Sequence, residues 1–158
     1  MFREVARKKQ VLSHEECIDI LKTAKRGVIS VIGDDGYPYG TPLNHWYCEA
    51  DGKLYFHGGK KGHRIDAMRA CEKVSFVCTD GGEPSGEGWW LRFRSVIVFG
   101  RVEFINDDQK AIEIVRQITE KFIGDDDYFA QELLEAGERT LVYALVPEHI
   151  TGKTVNER

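Results

Sequence analysis

The stretch Val28-Ile-Ser-Val-Ile-Gly-Asp-Asp-Gly-Tyr-Pro-Tyr-Gly-Thr-Pro-Leu-Asn-His-Trp-Tyr-Cys-Glu-Ala-Asp-Gly-Lys-Leu-Tyr-Phe-His57 decides the architecture. A short apolar run, residues 28–32, ends at Asp34-Asp35-Gly36, and Asp-Gly supplies the positive φ angles that a tight hairpin requires. A second run, residues 39–48, meets another such dipeptide, Asp51-Gly52, which turns the chain into residues 53–57. Three strands joined by tight turns read as an antiparallel meander. A doubly wound parallel sheet needs a helix between most strands, and the meander excludes it. Pro42 removes a ladder donor from the second strand, which places that strand at an edge or a bulge.

The flanks agree. Upstream, Ser13 followed by Glu16 forms a capping box, in which hydroxyl and carboxylate each satisfy an orphan amide. It opens a helix over 13–25 with Cys17, Ile18, Leu21 and Ala24 on one face, stopped by Gly27. Downstream come a glycine-rich turn (58–62), a short helix (63–71) and a strand (73–79). A Gly/Pro/Glu loop (80–88) then runs into Trp89-Trp90 and a long strand (94–105), whose interior Gly100 marks a bulge, a bend or a close approach. Asn106 or Asp107 caps a helix to about residue 123, a second helix spans 128–136, and a last strand, 139–146, stops at Pro147. The sum is about six strands and four helices: an antiparallel sheet closed into a small barrel, helices outside.

Composition narrows the function classes. The chain has 158 residues, a net charge of −4 and 42% apolar residues, enough for one domain with a real core. No apolar run approaches the ~20 residues of a membrane span. Met1 to Lys9 is charged and lacks the apolar core of a secretory signal, so the expected location is the cytoplasm. A mildly acidic chain is a poor general binder of nucleic acid. Cys17, Cys48, Cys71 and Cys78 show no C-x-x-C spacing and read as reduced thiols. His45, His57 and His63 do not form a recognised ligand spacing, so no metal site is expected.

The chemistry concentrates in Leu54-Tyr-Phe-His-Gly-Gly-Lys-Lys-Gly-His-Arg-Ile-Asp-Ala-Met-Arg69. Strand, glycine turn and helix start follow one another. Glycines let backbone amides approach an anion, and the helix N-terminus adds unpaired N–H groups and partial positive charge. Lys60, Lys61, His63, Arg64 and Arg69 add full charges or donors. The alternative is a solvated turn with ordinary surface cations, because the segment matches neither a Walker loop nor a dinucleotide fingerprint. His57 enters this turn with a side chain that titrates near neutrality; it is either a hydrogen-bonded core residue or an acid/base group.

Taken in order, these segments resemble the pyridoxamine 5′-phosphate oxidase-like split-barrel flavoproteins, and within them the 5-nitroimidazole resistance (Nim-type) branch. The match runs from Met1-Phe-Arg-Glu-Val through Gly27-Val-Ile-Ser-Val, Tyr37-Pro-Tyr-Gly-Thr-Pro-Leu-Asn, Leu54-Tyr-Phe-His-Gly, Gly62-His-Arg-Ile-Asp and Ser95-Val-Ile-Val-Phe-Gly-Arg-Val to His149-Ile-Thr-Gly-Lys. The resemblance implies one domain, residues 1–158: a mainly β, six-stranded antiparallel split barrel with flanking helices, paired as a homodimer with FMN at the interface. It implies that Gly58, Gly59 and Gly62 offer amides to the FMN phosphate, and that Lys61, His63 and Arg64 complete that turn. Thr41, Pro42, Leu43 and Asn44 would lie along the isoalloxazine, with His57 beside it as the catalytic residue. Ser95, Trp89 and Trp90 would face the cofactor, from the same subunit or from its partner. The implied activity is electron transfer from NAD(P)H through FMN to a small aromatic acceptor, a nitroimidazole-like one in the Nim-type branch. The alternatives are a non-enzymatic haem or flavin binder on the same barrel, or an oxidase of pyridoxamine phosphate.

Overall fold

A computed structural model describes residues 1–156. Its elements are α1 (His14–Thr23), β1 (Arg26–Ile32), β2 (Pro38–Asn44), β3 (Trp46–Cys48), β4 (Lys53–Gly59), α2 (His63–Ala70), β5 (Lys73–Thr79), β6 (Glu83–Pro84), β7 (Leu91–Phe104), α3 (Asp108–Phe122), α4 (Asp126–Ala136) and β8 (Thr140–Asn156). Among the described residues the strands form one sheet in the order β2-β1-β5-β7-β8-β4-β3, with β6 pairing to β7. Every pairing is antiparallel.

The expected mainly β, antiparallel split barrel is present, with eight strands in place of six. One extra strand is the two-residue β6 within the glycine-rich loop. The other arises because the second expected strand breaks at His45. β2 pairs with β1 and β3 with β4, so consecutive strands lie at opposite ends of the sheet path. The simple meander is therefore corrected: one residue joins the two ends, and the sheet must curl until they meet. His45 at this corner is fully buried, and its Nε2 donates to the Leu21 carbonyl at 2.7 Å. Lys121 Nζ donates to the carbonyls of His45 (2.9 Å) and Ala24 (2.6 Å), tying the corner to the end of α1.

Two further expectations are corrected. Pro147 does not end the last strand; β8 continues to Asn156 alongside β7. The register skips between Phe99↔His149 and Gly100↔Pro147, so the proline sits at a bulge, where a missing N–H is tolerated. A Cβ at Gly100 would lie 2.1 Å from the Val146 carbonyl oxygen, which explains the glycine. Gly27 does not stop α1, which ends at Thr23 with Ala24 extended at its cap. It lies in β1, where a Cβ would sit 2.3 Å from the Val77 carbonyl oxygen and 2.4 Å from the Phe76 ring. The Ser13–Glu16 capping box is formed as read.

The barrel interior holds Ile29, Val31, Leu54, Phe56, Phe76, Val96, Val98, Tyr143 and Leu145, joined by Cys17, Ile20 and Leu21 of α1 and Ile65 and Met68 of α2. A smaller cluster packs Ile114 and Ile118 of α3 on Tyr55, Val142 and Ala144, on the opposite face of β4 and β8. Those two strands are thus covered on both faces, and Leu54-Tyr55-Phe56 are all buried. β1 alternates instead, and its outward Val28 and Ile32 stay 41% and 49% exposed. No helix among the described residues is long and apolar enough to cross a membrane.

Candidate functional site

The glycine turn joins the end of β4 to α2. Gly62, at the N-cap of α2, has φ +124° and offers no side chain to cap the helix, so its first amides remain available to an outside acceptor. A Cβ at Gly59 or Gly62 would meet nothing within 4 Å, so this side of the turn is open. Arg64 folds back beneath the turn. Its Nη1 donates to Thr41 Oγ1 at 3.1 Å, and a Cβ at Gly58 would crowd its Nη2 at 3.2 Å. Arg64 Nε is buried without a partner. The Tyr143 hydroxyl, buried beside the same guanidinium, makes no hydrogen bond of good geometry. Burial pushes the Tyr143 phenol up, with Arg64 acting the other way, so the phenol stays protonated and able to donate. A half-buried guanidinium with an unspent Nε donor, next to a glycine turn and an uncapped helix start, fits a phosphate monoester.

β2 is an edge strand, as Pro42 suggested. Pro42, Leu43 and Asn44 line a cavity of about 350 Å³ with His57 and Arg26. The expected ring-binding strand and the expected catalytic histidine therefore meet, three residue positions upstream of the turn's first cation. Burial lowers the His57 pKa, with Glu132 of α4 opposing it, so near neutral pH the imidazole is chiefly the uncharged form. That form has one donor and one acceptor nitrogen.

His57 also lines a second space. A slot of about 170 Å³ lies between β4, α3, α4 and the start of β8, walled by Val115, Leu133 and Val142 and flanked by Glu132. It shares Ala111, Ile112, Leu133, Gly137, Thr140 and Val142 with an outer cleft of about 760 Å³. Lys60 lines that cleft.

Not every expected residue gathers here. The His63 ring packs tilted against Tyr39, centroids 4.2 Å apart, and its Nε2 accepts the Asp34 amide at 3.2 Å, so the side chain braces the β1–β2 turn. Lys61 is exposed at the turn. Ser95 lines a separate cavity beneath residues 1–6. Trp89 and Trp90 stack on each other at 4.3 Å, with Trp89 74% exposed. They precede Arg92, which pairs with Asn156, whereas His57 pairs with Val142 near the other end of β8. Within one protomer these three residues are far from the turn. Sequence reading missed Arg26, Glu132 and Tyr143. None belongs to a motif, and only their alignment across neighbouring elements brings them to the site. Among the described residues no His/Cys/Asp/Glu cluster is fit to hold a metal.

A profile of the family described as pyridoxamine 5′-phosphate oxidase matches residues 13–154. Among curated proteins none matches significantly. The fold is similar to that of a Bacteroides thetaiotaomicron protein put forward as a 5-nitroimidazole antibiotic resistance protein, at 22% identity over 92% of this chain and 87% of that one, TM-score 0.75. A FAD-binding protein from Mesorhizobium loti is similar at 23% identity, over 92% and 97%, TM-score 0.65. A FAD and heme binding protein from Mycobacterium smegmatis is similar at 22% identity, over 95% and 74%, TM-score 0.69.

Proposed function

The chain belongs to the pyridoxamine 5′-phosphate oxidase family, and from that premise we propose that it binds a flavin, FMN, and acts as an oxidoreductase on a small aromatic acceptor. The observation that carries this reading is the Arg64 guanidinium, held by Thr41 against Gly58 with its Nε unpaired under an open glycine turn. Arg64 and the amides of Gly59, Gly62 and the α2 start would hold the phosphate, and Lys61 would screen its charge from the solvent side. Thr41, Pro42, Leu43 and Asn44 would form the floor under the ring. When bound, the flavin supplies two-electron transfer between NAD(P)H and the acceptor.

The chain's own residues then supply position and protons. His57, at the wall of the β2-edge cavity, would donate a proton or hydrogen bond as charge develops on the acceptor. Arg26, in the same cavity, would offset negative charge there. The open outer face bearing Val28, Ile32 and 39%-exposed Phe99 favours pairing of two copies, with Ser95, Trp89 and Trp90 reaching the partner's ring. One spectrum tests the core of the reading. The purified protein should be yellow, or turn so with added FMN, and mass analysis of the released flavin should give FMN. FAD in its place would move the assignment to the larger flavin. A Soret band would favour the haem alternative, and a colourless protein indifferent to FMN overturns the proposal. A His57→Ala protein with undiminished acceptor reduction would remove the proton-donor role.

A further inference from the structure

The slot between α3, α4 and β8 has no part in holding a phosphate or a flavin ring as proposed above, and its chemistry differs from both. Its walls are aliphatic: Ala111, Ile112, Val115, Leu133 and Val142. Its polar side chains are His57, Glu132 and Thr140. About 170 Å³ is room for five or six waters at ~30 Å³ each, the size of one six-membered ring with a small substituent.

The charges decide what that ring must carry. Lys60 and Asp108, of opposite sign, line only the outer cleft and largely cancel there. At the slot the carboxylate of Glu132, an exposed residue of α4, is the one charged group among the lining residues, beside an imidazole that burial keeps chiefly uncharged. Tyr128 donates to one Glu132 oxygen at 3.1 Å, which orients the carboxylate and leaves the other oxygen free. A largely aliphatic slot whose polar groups are a carboxylate, a neutral imidazole and one hydroxyl suits a cation that donates hydrogen bonds, and disfavours an anion.

We propose that this slot binds a small apolar ring bearing a protonated amine or amidinium, held by Glu132 and touching His57. Binding there does not depend on the flavin reading. Because His57 lines both the slot and the β2-edge cavity, a ligand so placed would lie next to any ring bound at β2. That closeness makes it a candidate second reactant, and only this last step rests on the flavin reading.

The test uses three isosteric probes on the full-length protein, as purified and after removal of any flavin: benzamidinium, neutral benzamide and benzoate. Benzamidinium should bind at sub-millimolar concentration by calorimetry and shift the His57 ring protons by NMR, while benzoate should not bind. Glu132→Gln should weaken benzamidinium about tenfold or more, as expected for a lost charge-assisted hydrogen bond, and leave benzamide unchanged. Ile112→Trp, which fills the slot, should abolish both. Benzoate binding as well as benzamidinium, or indifference of benzamidinium to both substitutions, overturns the proposal. Competition between benzamidinium and FMN would also overturn it, by making the slot part of the flavin site. A protein that takes benzamidinium but no flavin would refute only the flavin reading.

Discussion

Acidification from pH 7 to pH 5 should destabilise this protein by about 2 kcal/mol through His45 alone. The buried imidazole has its pKa lowered from 6.5 to about 4, first by burial and then by the nearby Lys121 ammonium, with the bond to the Leu21 carbonyl opposing them. Between those two values the unfolded chain binds the extra proton and the folded one does not, so stability falls as pH falls through that window. One pKa unit is worth ~1.4 kcal/mol, so the full shift corresponds to ~3 kcal/mol, about two-thirds of it already lost at pH 5. In a domain of this size ~2 kcal/mol lowers Tm by ~4–8 °C. His57, also lowered by burial, contributes with the same sign. The carboxylates whose pKa values are depressed, Glu4 from 4.5 and Asp51 and Asp80 from 3.8, act at more acid pH. His45→Gln keeps an N–H for Leu21 and removes the titration. Thermal melts of wild type, His45→Gln and His57→Gln at the two pH values should show the drop shrinking by ~4–8 °C in the His45 variant. An unchanged drop, or a His45 ring signal titrating near 6.5, refutes the buried neutral imidazole.

Gly100→Ala should lower Tm by roughly 6–12 °C, from about 3 kcal/mol of overpacking, because the new Cβ meets the Val146 carbonyl oxygen and Leu145 at 2.1 and 2.7 Å. Differential scanning calorimetry would show it, and a shift under 2 °C would contradict the bulge geometry. Arg64→Met should weaken FMN binding by about 10- to 100-fold in a fluorescence titration, the scale of a lost charge-assisted bond, and Thr41→Val should do so less. Equal affinity in the Arg64 variant would dismiss the cradle. Trp89→Ala should leave the melting curve of the monomeric chain within about 0.5 kcal/mol of wild type, since the side chain is largely in solvent. Any larger loss would mean that Trp89 is covered in solution.

The features legible in the sequence were those written in contiguous residues. Ser13 and Glu16 announce α1 because a capping box is a local bond pattern. Asp51-Gly52 announces the β3–β4 turn because Gly52 takes a positive φ of 71°. The departures came where a distant partner decided a local conformation. Residues 39–48 carry a strand pattern throughout, and nothing between Asn44 and Trp46 signals a corner. The break at His45 follows from Leu21 and Lys121, 24 and 76 positions away, which bond its Nε2 and its carbonyl. Pro147 looks like a strand stop until Glu148 bulges from β8 beside it and Gly100, on the neighbouring strand, leaves room for the Val146 backbone.

The site divides along the same line. Gly58 to Arg64 was readable because a phosphate cradle needs successive amides and a helix start, which only adjacent residues can provide. What gives Arg64 its unspent donors is Thr41 on β2, Gly58 on β4 and Tyr143 on β8, a convergence that exists only once the sheet has curled. His57 illustrates the limit most directly. Its position before the turn marks it in the sequence, yet its chemistry is set by what covers it. Burial removes its charge, Glu132 on α4 pulls the other way, and Arg26 on β1 shares its cavity. A histidine read only as part of a β4 motif faces one ligand. The folded histidine faces two spaces, one open to the edge strand and one closed by a helix more than seventy residues downstream. Its role therefore depends on α4 as much as on the glycine turn beside it.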